Sequence, residues 1–266
     1  LVINGWVRVG CDGVNAFMFG AIGDGIADDT IAIQKAIDTV NKLNIPTGAY
    51  LISAPIKILK SNVHITGDGA SSILRQITND IDTIAVGNTS TDVQAITIEN
   101  LFFTRSGSTD FGSAISCENT LNLTLRNLKT DGMAWSFVFK DKNFGPSVSD
   151  CNLYNHKIGG IWWNSTSLVS SGIPATNGLS LIRVNMDNIL GVQPTIAGLF
   201  LFLGEGIYAV NCEFIRQKVG MLVKPEVLAM SGAHFGKFSN CLFDMCSEHG
   251  VMVFPKNGTN VRIISF

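Results

Sequence analysis

Short segments of alternating apolar and polar residues recur between residues 97 and 254 of this 266-residue chain. Each follows an Asn, or Asp150 or Arg183 in its place, and reads apolar, mostly polar, then usually apolar again. These marker residues stand 23 to 33 positions apart, at Asn100, Asn127, Asp150, Arg183, Asn211 and Asn240. A second apolar segment follows each of the last four markers, so a repeat predicts two short strands with turns between them. Strand-rich repeats of this length are typical of a solenoid, in which each turn pairs with its neighbours.

The alternation also predicts which side of each strand faces the core. The inward positions directly after the markers are Leu101, Leu128, Cys151, Val184, Cys212 and Cys241. The next positions should point outward, at Phe102, Lys129, Asn152, Asn185, Glu213 and Leu242. Asn suits a corner because it tolerates left-handed backbone and its amide can bond the matching amide one turn away. The markers therefore predict one corner of the solenoid.

The six cysteines show no C-x-x-C pair and no Cys/His spacing of the kind that holds zinc, so we predict no metal site. Cys151, Cys212 and Cys241 share one inward column, where a thiol serves as a small buried hydrophobe. We interpret them as reduced core thiols, with a disulfide ladder along the column as the alternative.

A glycine-rich acidic loop runs into an amphipathic helix in the segment FGAIGDGIADDTIAIQKAID, residues 19–38. Asp28 or Asp29 can cap this helix. Its apolar stripe comprises Ile33, Ala36, Ile37 and Val40. Such a helix can cover the open end of a solenoid. A phosphate or metal site in the loop is the alternative, but acidic residues there already satisfy the free amides of the helix N-terminus.

The same segment resembles, nearly position for position, the N-terminal signature of the pectate-lyase-like right-handed parallel β-helix superfamily, especially its bacteriophage tailspike and capsule-depolymerase branch. The segments IPTGAYLIS (45–53) and VHITGDGASSIL (63–74) extend the resemblance. It implies an all-β, right-handed parallel β-helix with an N-terminal capping α-helix, which we place at about residues 29–43. It also implies a host-facing place on the virion tail, bacterial surface polysaccharide as the partner, and no cofactor.

We predict three parts: residues 1–18 as the end of an upstream module or linker, 19–62 as the cap of the β-helix, and 63–266 as its rungs. The last segment, VRIISF, reads as a strand with nothing after it to close the coil. An open strand edge is an aggregation hazard, so we expect the chain to be a fragment, truncated at its C-terminus.

Composition narrows the partners. Only 15% of residues are charged and the formal net charge is -2, so no strong basic field is available to hold nucleic acid. No apolar run reaches the roughly 18 residues that span a bilayer. We therefore predict no nucleic acid and no membrane insertion.

The second strand of each repeat predicts the assembly. Its outward positions Trp162, Phe200, Leu222 and Met252 are apolar, as are the inward ones. Two apolar faces need two buried environments. A homotrimer, which the tailspike resemblance also implies, would bury this column, and a loop folded over it is the alternative.

Because the polygalacturonase and pectate-lyase motifs are not recognisable here, we predict the catalytic residues from the strand register alone. Glycoside hydrolysis needs two carboxyl groups roughly 5 to 10 Å apart. Asp187 and Glu213 should point outward on adjacent turns, offset by two residues, with Cα atoms roughly 8 Å apart. We predict Asp187 as general acid and Glu213 as nucleophile or base, with the order open. The neighbourhood adds Asp244 as a carboxylate and Tyr154, Asn152 and Asn185 as substrate-binding residues. Solvated surface acids are the alternative.

A second set of candidates follows the second strand: the carboxylates Glu205 and Glu226, with Lys224 and His249 nearby in the repeat. Lys224 or His249 could be the base of a polysaccharide lyase, a role that needs a lowered pKa. Structural salt links are the alternative. The function predicted is thus that of a phage depolymerase that hydrolyses capsule or O-antigen. Two alternatives stay open: a lyase that acts by β-elimination, and a non-catalytic glycan-binding or structural spike.

Overall fold

The computed structural model describes residues 2–3, 6–7, 13–107, 111–164, 177–191, 194–201, 206–224, 234–254 and 261–265. Within them the chain forms a right-handed parallel β-helix, as predicted. Each coil passes through three parallel sheets in the same order, which we number 1, 2 and 3. The two-strand repeat was therefore incomplete: the residues before each marker form a strand of their own.

Sheet 1 precedes the marker corner. Its strands are Val14–Asn15, Lys42–Ile45, His64–Gly67, Val93–Glu99, Thr120–Arg126, Ser147–Ser149, Ser180–Ile182, Ile207–Val210, His234–Ser239 and Val261–Ser265, with Asn143–Phe144 paired beside Thr120–Arg126. Sheet 2 follows the corner, with strands Asp24–Asp28, Gly48–Ile52, Ser72–Gln76, Phe102–Arg105, Lys129–Asp131, Asn152–Tyr154, Asn185–Asp187, Glu213–Ile215 and Leu242–Asp244.

Sheet 3 completes the coil. Its strands are Ile56–Ile58, Ile84–Val86, Ser113–Cys117, Trp135–Phe139, Gly159–Trp163, Ala197–Leu201, Val219–Val223 and His249–Val253. Outside the three sheets, Val2–Ile3 pairs antiparallel with Trp6–Val7. The 3-10 turns are Ala16–Phe19 and Gly69–Ser71. Among the described residues, every helix is too short or too polar to cross a lipid bilayer.

The predicted sidedness is confirmed. Five of the six inward residues after the markers are at most 1% exposed, and Cys241, in the last of these coils, is partly buried. Two positions further on, Phe103, Leu153, Met186 and Phe214 are fully buried. Their outward neighbours, among them Asn152 and Glu213, face solvent. The core is thus a stack of inward side chains that runs the length of the solenoid.

All six marker residues adopt left-handed backbone, with φ between 48° and 57°. Neighbouring corners are also bonded: Asn127 Nδ2 donates to Asn100 Oδ1 at 2.7 Å, and Asn240 Nδ2 donates to Asn211 Oδ1 at 2.7 Å. At the two exceptions the Arg183 guanidinium forms an ion pair with the Asp150 carboxylate, with Nε–Oδ1 at 2.6 Å. The Asn column therefore predicts the corner and the bonds along it correctly.

Two further columns of left-handed residues mark the other corners. Between sheets 2 and 3 they are Gly132, Asn155, Arg216 and Met245. At the start of sheet 1 they are Asn62, Gly145, Gly178 and Gly206, which precede a strand, and Ala95 and Asn122, which lie in the first residues of one. Ala95 lies beside Asn122, because Gln94 pairs with Leu121 and Ile96 with Leu123. These columns mix residue types, so the sequence pattern did not predict them.

The capping helix spans Thr30–Thr39, so the predicted end near residue 43 is wrong. Residues Lys42–Ile45 instead pair with His64–Gly67 in sheet 1. The buried stripe is as predicted, with Ile33, Ala36 and Ile37 at most 1% exposed. In chain order the helix stands where later coils have their sheet 3 strand, and it packs against Ile56–Ile58.

The acidic loop before the helix is held by its own carboxylates. Asp29 is 1% exposed and accepts hydrogen bonds from the backbone N–H groups of Ile22 at 2.6 Å and Gly23 at 3.1 Å. Asp28 accepts from Thr30 N at 3.0 Å, at the start of the helix. Asp24 accepts from Ile26 N and Ala27 N, and these bonds lower the pKa of its carboxyl. The carboxylates of the loop thus accept hydrogen bonds from backbone N–H groups.

Sheet 1 already contains Val14–Asn15, which pairs with Lys42–Ile45. Ala16 is fully buried in the core. Residues 14–16 therefore belong to the first coil. The prediction had assigned them to the end of an upstream module or linker. The division at residue 62 stays a prediction.

Candidate functional site

The outer face of sheet 2 carries the main candidate site. We call it the acidic face and define it by Lys129, Asp131, Asn152, Tyr154, Asn185, Asp187, Glu213 and Asp244. The first strand position forms one column, from Lys129 through Asn152 and Asn185 to Glu213. The third position forms a parallel column, from Asp131 through Tyr154 to Asp187.

Asp187 and Glu213 lie on adjacent coils, offset by two residues, because Asn185 pairs directly with Glu213. Their surroundings differ. Asp187 is 6% exposed, whereas Glu213 faces solvent. Within the described part of the chain, the Glu213 side chain has no hydrogen bond or ion pair. The two carboxyl groups are therefore suited to different tasks.

Arg216 holds the Asp187 carboxylate in a two-point ion pair. Its Nε donates to Asp187 Oδ1 at 2.8 Å, and its Nη2 donates to Oδ2. A guanidinium in this geometry stabilises the ionised carboxylate. Both carboxylate oxygens of Asp187 are thus engaged by Arg216. Sequence reasoning missed Arg216, which lies one residue past the strand at a left-handed corner.

Tyr154 sits one coil before Asp187 in the same column. Its hydroxyl donates to Asn152 Oδ1 at 3.3 Å. Burial, and then the negative charges of Asp187, Asp131 and Glu213, raise its pKa. The Lys129 ammonium lies 4.6 Å from the ring centroid of Phe102 and 5.6 Å from that of Tyr154, within cation–π range. An aromatic edge therefore borders the carboxylates.

The remaining members of the acidic face are held in different ways. Asp131 Oδ1 accepts a hydrogen bond from Asn155 Nδ2 at 2.8 Å, and Asn185 Oδ1 is buried with no partner in the described ranges. Asp244 is exposed, and Ile215 separates it from Asp187 along the column. The structure thus places Asp244 on the same face as Asp187 but does not bring the two together.

Of the second predicted set, the structure describes Lys224 and His249. Glu205 and Glu226 lie outside the described residues. His249 begins a strand of sheet 3 opposite Val219, whereas Lys224 follows the end of that neighbouring strand. Five residues of strand separate their positions, roughly 16 Å at 3.3 Å per residue. Lys224 and His249 therefore lie at opposite ends of sheet 3, away from the acidic face.

The outer face of sheet 3 carries an aromatic cluster, defined by Trp135, Val138, Trp162, Phe200 and Leu222. The Trp135 and Trp162 rings stack at 5.5 Å, and Trp162 and Phe200 lie 6.3 Å apart. Phe200 is 8% exposed in the single chain, and Ile158 and Ile196 pack against the cluster. Phe200 of the predicted outward column is thus buried in a second, smaller core, whereas Trp162, Leu222 and Met252 stay partly exposed.

An ionic cluster on the outer face of sheet 1 escaped the sequence prediction. Glu99 is 6% exposed, bonds His64 Nε2 at 2.8 Å and forms an ion pair with Arg126. Burial opposes ionisation, but the bonds from His64 and Arg126 outweigh it and lower the pKa of Glu99. Glu99 and Arg126 directly precede the markers Asn100 and Asn127, so the marker alignment carried the signal for this pair. Among the described residues, no group of three or more potential metal ligands comes together.

Residues 13–86 match the family model described as Rhamnogalacturonase A/epimerase, pectate lyase-like. This part of the chain is thus similar to a pectate-lyase-like family. The match covers the capping helix and the first coils, which is where the sequence signature lies. The acidic face lies beyond the matched residues, so the family model assigns it no role.

Two curated relatives match part of this chain. Mannuronan C5-epimerase AlgE2 of Azotobacter vinelandii is 36% identical over 80 residues, which cover 26% of this chain and 8% of the epimerase. The pre-neck appendage protein of Bacillus phage phi29 is 42% identical over 57 residues, covering 21% of this chain and 7% of that protein. The matches thus span less than a tenth of either relative.

Among the solved structures that resemble this chain, a phage tailspike domain matches nearly all of its length. The enzymatically active domain of tailspike protein 2 from bacteriophage CBA120 superimposes with a TM-score of 0.62, over 98% of this chain and 49% of that one. The sequence identity is 15%, so the likeness concerns the fold.

Proposed function

We propose that the chain is part of a phage tailspike that hydrolyses bacterial surface polysaccharide, capsule or O-antigen, at the acidic face. The observation that carries this proposal is the pairing of a buried carboxyl group at Asp187, bonded by Arg216, with an exposed carboxyl group at Glu213 on the next coil. The tailspike likeness, the phage appendage protein and the epimerase, whose name gives mannuronan as its substrate, support a glycan as the ligand.

The geometry favours the reverse of the order first predicted. Glu213 is exposed and its side chain has no hydrogen bond or ion pair among the described residues, so it is free to approach the leaving glycosidic oxygen as the general acid. Asp187, held in place by Arg216, acts as the nucleophile or as the base that activates water. Its negative charge also stabilises the oxocarbenium-like transition state of glycoside hydrolysis. Register places the two Cα atoms roughly 8 Å apart, within reach of one glycosidic bond.

Three residues of the acidic face, Asn152, Asn185 and Tyr154, bind the sugar. Asn152 and Asn185 continue the Glu213 column and supply amide groups for hydroxyls. Tyr154 offers an apolar ring with a polar tip beside Asp187. Together they extend the binding surface over two coils from the reacting bond.

The test uses Glu213→Gln and Asp187→Asn separately, with Asp244→Asn as the matched acidic control on the same face. Each protein is incubated with a panel of capsular and O-antigen polysaccharides, and the products are analysed by mass spectrometry. Loss of general acid–base catalysis lowers the rate about 10² to 10⁴-fold. The cleavage rate of both site variants should therefore fall by about 10²-fold or more, while that of Asp244→Asn stays near the parental rate. Parental rates in both site variants would place the chemistry elsewhere.

Two other functions remain as outcomes of the same assay. A lyase would release products with an unsaturated uronate, visible by ultraviolet absorption, and would direct attention to Lys224 and His249. Binding without any product would indicate a glycan-binding spike.

The assembly proposed is a homotrimer on the virion tail. Its support is the apolar outer face of sheet 3, where Trp162, Leu222 and Met252 keep part of their surface exposed. The phage relatives support the location.

A further inference from the structure

A groove of about 450 Å³ lies on the outer side of the bend that leads into sheet 1. Its lining includes Ser61, Asp92, Gln94, Leu121, Lys142 and Phe144. Sheet 1 lies between this bend and the marker corner that leads to sheet 2, so the groove is separate from the acidic face. A volume of this size is typical of small-molecule sites, which range from roughly 300 to 1,000 Å³.

The backbone shapes this groove. Gln94, Leu121 and Phe144 occupy one register position in successive coils, and each directly precedes a left-handed residue. Ser61 holds the same place one coil earlier, where its hydroxyl accepts a hydrogen bond from Gln94 N at 3.0 Å. Four coils at about 4.8 Å spacing give a channel of roughly 14 Å along the solenoid axis. Such a channel suits an extended ligand rather than a single ring.

The lining is apolar on the last two of the four coils and more polar on the first two. Leu121 and Phe144 are adjacent in register and 43% and 39% exposed. Asp92, Gln94 and Lys142 are exposed, and in the described part of the chain their side chains make no hydrogen bond or ion pair. An apolar floor with a few unengaged donors and acceptors matches a sugar, which has an apolar C–H face and a hydroxyl edge.

We propose that this groove is a second, non-catalytic binding site for an uncharged stretch of glycan. Phe144 and Leu121 contact the C–H faces of the sugar rings, and Lys142, Gln94 and Asp92 bond the hydroxyls. The lining carries one carboxylate and one ammonium, so its net charge is zero. It therefore offers no net charge that would favour a charged glycan over a neutral one. The choice of ligand class rests on the function proposed above. The site would hold the polymer while another part of the protein acts on it.

The experiment measures binding rather than cleavage, so that it is independent of the catalytic proposal. The probes are purified neutral and uronate-containing capsular and O-antigen polysaccharides, titrated against the whole chain by calorimetry. The variants are Phe144→Ala and Lys142→Ala. Tyr208→Ala is the matched control, because Tyr208 is an aromatic residue 53% exposed on sheet 1 outside the groove lining.

We expect Phe144→Ala to weaken binding of a neutral polysaccharide about tenfold or more, Lys142→Ala to weaken it less, and Tyr208→Ala to leave it unchanged. All three side chains are exposed, and unchanged thermal unfolding would show that the fold is intact. Parental affinity in Phe144→Ala, a preference for the uronate polysaccharides, or binding to none of the panel would each overturn the proposal. Loss of cleavage in Glu213→Gln with groove binding retained would separate the two sites.

Discussion

His156 is a titratable residue buried inside the solenoid. It is 1% exposed, its Nε2 bonds Gln217 Oε1 at 2.7 Å, and its Nδ1 has no partner among the described residues. Burial lowers its pKa to about 4, against the opposing effect of the Gln217 bond. Between about pH 4 and pH 6.5 the ring is therefore neutral in the folded protein, whereas an unfolded His is protonated there.

This difference predicts a pH dependence of stability. Between pH 6.5 and about 4 the unfolded chain binds a proton that folded His156 does not, so the free energy of unfolding falls as the pH falls. The slope is at most about 1.4 kcal/mol per pH unit, or about 3 kcal/mol over this window. His156→Gln should flatten the slope, measured by urea unfolding at several pH values. His249→Gln, at an exposed His, should keep the parental slope, and an equal slope in His156→Gln would contradict the prediction.

Corners are the elements in which residue type and backbone conformation disagree most. Met245 adopts φ 54° although it is not a glycine, and it is 63% exposed. Left-handed backbone costs such a residue roughly 1 to 2 kcal/mol. Met245→Gly should therefore raise the free energy of unfolding by about 1 kcal/mol, seen as a higher urea midpoint. Leu242→Gly is the matched control: Leu242 is 47% exposed within a strand, where Gly should destabilise by about 0.5 to 1 kcal/mol. A lower midpoint for Met245→Gly would contradict the prediction.

The marker corner could be predicted from sequence because one residue type carries both of its requirements. Asn accepts left-handed backbone and bonds its own copy, as at Asn100 and Asn127. The bend at the start of sheet 1 has the same backbone at Asn62, Ala95 and Gly145 without a shared residue type. The end of the capping helix was also out of reach, because pairing of Lys42–Ile45 with sheet 1 overrides local helix preference.

For the site, sequence could predict columns but not contacts. The strand period of two placed Asp187 and Glu213 correctly relative to each other. The partner of Asp187 depends on how a side chain leaves a corner, and Arg216 leaves from left-handed backbone to reach it. The burial of Phe200 depends on residues outside its strand, including Ile158 and Ile196. Such contacts are fixed by three-dimensional packing rather than by the period of the strand.

At the scale of the whole molecule, the homotrimer proposal predicts that the protein sediments as three copies. Leu222→Glu and Met252→Glu, on partly exposed positions of the sheet 3 face, should shift sedimentation velocity towards a monomer because a buried unpaired carboxylate opposes association. Val210→Glu, on the outer face of sheet 1 and 39% exposed, should leave the trimer intact. A parental chain that sediments as a monomer would mean that the aromatic cluster serves only its own chain.

The parallel pairing of successive coils in all three sheets has a mechanical consequence. Strands of successive coils pair along the whole described solenoid, so their hydrogen bonds point along its axis. Separating two coils requires breaking the bonds of all three sheets at once, together with the ion pairs that join coils, such as Arg183 with Asp150. A force applied to one end is therefore transmitted to the other through every coil in turn. The solenoid acts as a stiff rod even though the segments between its strands differ in length from coil to coil.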